Sequence, residues 1–333
     1  MQVVLPVGYN REFPVMKRPQ TFLPLANREI FPMTLEKLKE QEVIVVTPFV
    51  KEFRHYEVQV IRDKEGGSAA ALKALEKIAE DAFVVHFSDI FTPFRVEPVF
   101  NFHKQVKPMA TMVITQSTTP WRYGTVSTDP VGRVVRYLYQ PRPDLVFSNK
   151  VDAGIYVFNP EIFDRIPHKM NMQELITYML HRGDPVYAYE SRAFWYHIGS
   201  VSEYVEANRD YLQRRMELRQ EDVSGVNAYP PVSLINVQAE VAMIGPYVSA
   251  KDCELGKNVK ITNSIILPGA RIGDNVTISD SVIGPNTVIE KNAVITESLI
   301  GEGSVVGEKA KVGRSVVGIE KEVMENIFEA QLL

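Results

Sequence analysis

Aliphatic residues recur at a fixed spacing through the last third of the chain: Leu255, Ile261, Ile266, Ile272, Ile278, Ile283, Ile289, Ile295, Ile300, Val306, Val312 and Val317. The steps are sixes and fives, one five to every two sixes, and no position in the series is polar. Glycine follows many of them, at Gly256, Gly273, Gly284, Gly301, Gly307, Gly313 and Gly318. Neither a helical period of about 3.6 nor a strand alternation of two fits such spacing. A three-sided coil does, with one short strand per side, an inward aliphatic residue on each, and a glycine or asparagine at corners that need unusual backbone angles. The five means that one corner is a residue shorter, so the coil repeats every 17 residues. The pattern predicts a left-handed parallel β-helix of hexapeptide repeats over 234–318. An open end of such a coil is an edge that needs covering. Ile319, Val323, Ile327 and Ala330 at helical spacing predict a capping helix over 319–333.

Before about residue 215 the pattern alternates. Strand-like runs are Val3–Val7, Val43–Thr47, Glu57–Ile61, Phe83–Phe87, Thr111–Thr115, Val134–Tyr139, Ile155–Phe158 and Val186–Tyr189. Helix-like stretches are Leu35–Glu40, Ala69–Asp81, Met172–His181 and Val201–Leu218. Alternation of this kind implies an α/β domain over 1–218, with ligands beyond the carboxyl ends of the strands. Arg219–Ser233, with Gly225, Asn227, Pro230 and Pro231, has the composition of a linker.

Composition excludes several classes. A chain of 333 residues with 45% apolar and 23% charged residues can bury a proper core. A net charge of −4 gives no general attraction to nucleic acid or anionic membrane. The single cysteine, Cys253, rules out an internal disulfide framework. The N-terminus lacks the pattern of a signal peptide, and no apolar run reaches the ~18 residues of a membrane span, so a cytoplasmic location is expected. Hexapeptide coils also occur in acyltransferases that use a histidine base. Here His55, His86, His103, His168, His181 and His197 all precede the repeat, which favours structural or oligomerising use of the coil.

Read in order, a series of short motifs resembles the sugar-1-phosphate nucleotidylyltransferases, or sugar-nucleotide pyrophosphorylases. They are Arg18–Pro19 with Phe22–Asn27, Gly67–Leu72, Phe87–Asp89, Arg122–Gly124, Asp152–Phe158, Trp195–Gly199, Glu203–Tyr204 and Glu206–Tyr211. The resemblance spans essentially the whole chain. It implies a Rossmann-like nucleotidyltransferase domain with a mixed, mostly parallel sheet, joined to the β-helix. It further implies a reaction of nucleoside triphosphate with sugar 1-phosphate, helped by Mg²⁺.

That chemistry makes four demands, and the sequence departs from the family at each. The glycine-rich triphosphate loop is reduced to Gly8, with Arg11 as the match to the family arginine. The lysine at the attack site is replaced by Gln20, a neutral amide that cannot stabilise developing phosphoryl charge. Of two magnesium aspartates, Asp89 matches the first, but the second position reads His197, whose nitrogen suits a softer metal than Mg²⁺. The sugar-phosphate clamp E-K-P reads Tyr139–Gln140–Pro141. What the resemblance keeps are base-pocket positions Gly67, Ser68 and Ala69 and sugar-pocket positions Gly124 and Asp152; Gln140 stands at the clamp without the family's charge.

Losses confined to phosphate and metal handling imply a non-catalytic nucleotide-sugar-binding subunit, regulatory or scaffolding. It would assemble as a homo-oligomer or with an active paralogue. Two other readings remain open. One is an active enzyme in which Arg11, Lys17 or Arg18 supplies charge and Asp89 holds the metal. The other is a purely structural assembly protein.

Overall fold

The computed structural model describes residues 1–8, 10, 13–63, 67–79, 81–167, 169–215 and 218–333. The chain divides into two compact units, Met1–Gly8 with Phe31–Trp195, and Tyr9–Ile30 with Tyr196–Leu333. The division expected at 218–219 does not coincide with these units.

The first unit is built on nine strands: β1 (Gln2–Pro6), β2 (Glu42–Thr47), β3 (Gln59–Arg62), β4 (Phe83–His86), β5 (Ala110–Gln116), β6 (Gly124–Thr128), β7 (Val134–Tyr139), β8 (Lys150–Phe158) and β9 (Val186–Glu190). The main path runs β7-β6-β8-β4-β1-β2-β3, while β5 pairs with both β8 and β9. Strands β4, β1, β2 and β3 are parallel, whereas β8 runs antiparallel to β4, β5 and β6. All four residues of β4 are buried, as expected of a strand covered on both faces. Helices α1 (Ile30–Lys37), α2 (Val96–Val106) and α3 (Met172–Arg182) flank the strands in sequence. Met172, Leu175, Ile176 and Met179 give α3 one apolar stripe, and it joins the core that holds Val4, Ile44, Phe83 and Tyr156. Three local expectations change, the first at strand β6, which has no counterpart in the sequence reading. The helix expected over Ala69–Asp81 is 3₁₀ structure over Ala70–Leu75. Helix α2 has no counterpart in the sequence reading, because Val96, Pro98, Val99 and Phe100 give it a strand-like composition.

In the second unit the periodic residues stack as three columns. Leu255, Ile272, Ile289, Val306 and Val323 pair coil to coil in parallel. Ile261, Ile278, Ile295 and Val312 do the same, as do Ile266, Ile283, Ile300 and Val317. Interior serines serve the backbone. Ser264, Ser281, Ser298 and Ser315 each donate to the carbonyl two residues earlier and accept an N–H from the next coil at 3.0–3.2 Å.

Three details differ from the sequence reading. At one corner the left-handed angles fall on Asn258, Asn275 and Asn292, within the glycine-or-asparagine expectation, and these hydrogen-bond up the stack. At others they fall on Asp252, Gly269, Asn286 and Gly303 or on Asn263, Asp280, Glu297 and Arg314. Gly273 has no such angle; a Cβ there would stand 2.7 Å from the Lys291 nitrogen, so the glycine permits close approach of the next coil. The expected linker is part of a strand, β10 (Leu218–Ala228), parallel to β11 (Val232–Ile244), which pairs in turn with β12 (Val248–Thr262). Its turn residues are coil corners. The expected capping helix is instead a last coil of short strands, with Val312 facing Ile327 and Val317 facing Leu332. Ser304 and Ser315 offer acceptors to the N–H groups of Lys321 and Ala330, so another coil satisfies the edge where a helix could not.

Helix α4 (Val201–Arg215) and the hairpin Pro24–Glu29 join this unit through two asparagines. Asn208 Oδ1 accepts from Ala26 N–H and from Ser249 Oγ, and Asn27 Nδ2 donates to the carbonyls of Ser233 and Ala250. Both belong to motifs that the resemblance rests on, and both hold the fold together.

Candidate active site

In the first unit Gly8 is exposed, with open space around its Cα. The Gly67–Ala69 turn points its amides inward. Ala69 and Ala70 both donate to the Met170 carbonyl at 3.0 Å, Ser68 Oγ accepts from Met172 N–H at 3.0 Å, and a Cβ on Gly67 would stand 2.8 Å from the Met170 oxygen. These backbone donors serve the loop before α3. Gln140 lies at the exposed end of β7 with φ at 43°, its Nε2 donating to the Arg122 carbonyl at 3.3 Å.

Gly124 and Asp152 are brought together by a residue that the sequence reading missed. Tyr137 fills the space above Gly124, where a Cβ would meet its hydroxyl at 2.5 Å. That hydroxyl donates to Asp152 Oδ2 at 3.3 Å, and the Tyr156 hydroxyl donates to the same oxygen at 2.5 Å. Asp152 Oδ1 accepts from Gly154 N–H at 2.9 Å. Burial pushes the carboxyl up to about 6, against the pull of these donors. Burial and the adjacent carboxylate raise both tyrosines well above their ordinary range. The signal available in sequence was the i, i+4 spacing of Asp152 and Tyr156 on one strand face.

Asp89 follows β4 in a half-buried turn, beside Ser88, whose hydroxyl donates to the Pro6 carbonyl at 3.0 Å. His86, buried at the end of β4, faces the Phe87 carbonyl with Nδ1 at 2.8 Å, and burial lowers it to about 4. Lys37 of α1 donates to the Thr92 carbonyl and stands 3.8 Å above the Phe91 ring. Burial brings this amine down to about 8.

In the second unit Gln20 is buried, 6% exposed, and fully engaged. Its Oε1 accepts from Asn10 N–H at 3.0 Å, and its Nε2 donates to the carbonyls of Asn10 and Phe13 at 3.1 and 3.2 Å. One amide thus meets both backbone groups of Asn10, which a lysine, having only donors, could not do. Asn10 Nδ2 donates to the Gly199 carbonyl at 3.3 Å, and the His197 ring packs over Gly199. The Gln20 and His197 positions therefore share one loop. His197 Nδ1 lies 3.2 Å from Glu203 Oε2, a partner at the start of α4 that the sequence reading also missed. Lys17 pairs with Glu320 at 2.5 Å, and this hydrogen bond is the main cause raising its amine above its ordinary range. Arg18 lies over the Phe22 ring and pairs with Glu29 at 3.5 Å. Arg11 lies outside the described residues.

The residues present do not fit a two-carboxylate magnesium site. Asp89, in the first unit, supplies an oxygen donor, but the position that the resemblance pairs with it is the imidazole of His197 in the second unit, a softer donor than the carboxylate that Mg²⁺ prefers. Among the described residues, no group of three or more His, Cys, Asp or Glu side chains stands where it could hold a metal ion. Among them, too, no helix is long and apolar enough to cross a membrane. Cys253 is buried, and burial pushes its thiol up to about 12, which makes it inert.

Comparison with known proteins agrees with this architecture. A family model described as Nucleotidyl transferase matches residues 17–214, and one described as GMPPB C-terminal domain matches residues 232–333. UTP–glucose-1-phosphate uridylyltransferase of Synechocystis is 27% identical over 315 residues, covering 76% of this chain and 80% of that protein. Mannose-1-phosphate guanylyltransferase 1 of Arabidopsis thaliana is 26% identical over 283 residues, covering 76% of this chain and 77% of the relative. Among solved structures, a UDP-glucose pyrophosphorylase complexed with UDP-glucose superposes with a TM-score of 0.54 at 16% identity, over 64% of this chain and 99% of that one. HddC from Yersinia pseudotuberculosis gives 0.52 at 17% identity, over 63% and 99%. These superpositions show the fold. The chain belongs to the nucleotidyl transferase family, related to the sugar-1-phosphate nucleotidylyltransferases and ending in a left-handed β-helix.

Proposed function

We propose that this protein is a non-catalytic member of its family, a nucleotide-sugar-binding subunit that regulates or scaffolds an active paralogue or a homo-oligomer. The observation that carries this reading is Gln20. At the position where the family places a lysine, a buried amide is spent on holding the backbone of Asn10 and Phe13. The neighbouring cation Lys17 is engaged by Glu320, and His197 by Glu203. Preorganised charge at the transferred phosphoryl group is the main source of rate in such reactions, so its loss removes most of the catalysis. The test is pyrophosphate release from each nucleoside triphosphate with glucose, mannose, galactose and N-acetylglucosamine 1-phosphates, in Mg²⁺ and then Mn²⁺. No turnover is expected, while a nucleotide sugar at millimolar concentration should raise the melting temperature by mass action. Robust turnover would overturn the reading.

A second reading is favoured by the relatives, which are named as uridylyltransferase and guanylyltransferase. The chain would then be an active nucleotidylyltransferase with rearranged phosphate-binding groups, depending on Asp89. On that reading Asp89→Ala abolishes pyrophosphate release. A third, a purely structural assembly protein, requires that no nucleotide sugar stabilise the fold.

A further inference from the structure

Within the second unit, the segment Phe13–Lys17 lies against one corner of the β-helix. The Val15 carbonyl accepts from Glu302 N–H at 2.9 Å, Lys17 N–H donates to Glu302 Oε2 at 2.7 Å, and Lys17 Nζ pairs with Glu320. The glycines of this corner leave room for the next coil and for the strap alike. A Cβ on Gly284 would stand 2.7 Å from the Val15 oxygen, and one on Gly301 would stand 2.8 Å from the Pro14 oxygen. Phe13 and Val15 are both 1% exposed, so the strap is seated, and Gln20 fixes its start by binding the carbonyls of Asn10 and Phe13.

The two kinds of contact differ in strength. The apolar seat is dry. The ionic end is wet, with the side chains of Lys17 and Glu320 54% and 65% exposed. Exposed ion pairs contribute little and are screened by salt, so a multivalent anion can compete with them. A phosphate group offers oxygens to both an ammonium and a backbone N–H, the same two donors that Glu320 and Glu302 occupy.

We propose that Glu302 and Glu320 form a clasp that holds the strap closed by standing in for phosphate oxygens at Lys17, and that a polyphosphate competes with these two carboxylates for Lys17 Nζ and the Lys17 N–H. The clasp deepens the non-catalytic reading and rests on it, since it gives the same cation a resting partner within the chain. The contact masks an anion site: charge that could meet a phosphate is neutralised by the β-helix.

The full chain can test this with two measurements, hydrogen exchange of the strap amides and the affinity for inorganic tripolyphosphate. The variant is the double substitution Glu302→Gln and Glu320→Gln. Both side chains lie at the surface, and the amide introduced at position 302 keeps an oxygen for the Lys17 N–H, so the fold should survive. Exchange at residues 15–17 should rise, and tripolyphosphate should bind about five- to tenfold more tightly. Lys17→Gln should raise exchange with no gain in affinity. Unchanged exchange in the double variant would overturn the clasp. So would faster exchange without tighter binding, or an affinity gain in Lys17→Gln equal to that of the double variant. Neither readout depends on pyrophosphate release. Turnover by the wild-type chain would therefore overturn the non-catalytic reading while leaving the clasp to be judged by exchange and affinity.

Discussion

In the α/β unit the interior holds titratable groups, Asp152, His86 and His103, whereas the polar side chains buried between residues 232 and 333 are all hydroxyls. The difference follows from how each interior is assembled. In the sheet unit, side chains from separate strands converge, so two tyrosines can reach one aspartate. In the narrow coil, the only polar neighbours above and below are backbone amides and carbonyls in register. A hydroxyl suits such a site because it donates once and accepts once, while a carboxylate can only accept. Carboxyl and imidazole groups are therefore buried in one unit, while the only polar groups of the coil interior are hydroxyls and the Cys253 thiol, which burial keeps neutral. Dependence of stability on pH should originate in the first.

The largest effect is expected in the coil. Ile283 is fully buried between Ile266 and Ile300 in one column. Ile283→Ala should cost about 2–5 kcal/mol in urea unfolding, because rigid coils above and below cannot collapse onto the void. The loss should be equal at pH 5 and pH 8. A loss that varied with pH would place titratable coupling where none is seen, and the contrast between the units would fail.

Asp152→Asn probes the other interior. The folded carboxyl titrates at about 6, above its ordinary 3.8, so its contribution to stability is fully present below the ordinary value and is lost as pH rises through the folded one. His86 acts in the opposite sense, at about 4 instead of 6.5, contributing stability above the ordinary value that is lost as pH falls through the folded one. The two slopes oppose each other across the same window. Removing the carboxyl should make stability fall more steeply on acidification, by about 2–3 kcal/mol between the extremes. Superimposable stability–pH curves for variant and wild type would refute the assignment.

The smallest of these effects is expected at the loop. Gln20→Lys restores the family's lysine, but it leaves Asn10 N–H without its acceptor and buries an ammonium. It should destabilise by about 1–3 kcal/mol and produce no pyrophosphate. Turnover in this variant, with none in the wild type, would mean that Gln20 alone accounts for the inactivity proposed for this chain.

The β-helix was legible because each coil contacts only its neighbours, so a one-dimensional period carries the three-dimensional answer. Legibility failed at its two ends. Gly225, Pro230 and Pro231 read equally as linker or as corners, and Val323 and Ile327 fit one turn of helix as well as a shortened coil. In the α/β unit most strands were legible, but β6 and α2 were not, α2 because Val96, Pro98, Val99 and Phe100 give it a strand-like composition. For the site, Gln20, Gln140 and His197 were assigned as replacements by resemblance alone, and their partners could not be read at all. Glu203 lies in a motif that does not mark it as the partner of His197, and Asn10, Glu302 and Glu320 carry none. Asn27 and Asn208, which lie in motifs, bind the coil.

The family and the coil were decidable from the string of residues, because these are questions of residue type at a given position or period. What each replacement does instead was set by packing in three dimensions: Gln20 tying down a loop, Lys17 paired with Glu320, Asp152 closed in by Tyr137 and Tyr156. Those outcomes depend on distances of a few ångströms between side chains far apart in the chain, and no local pattern of residues encodes such distances.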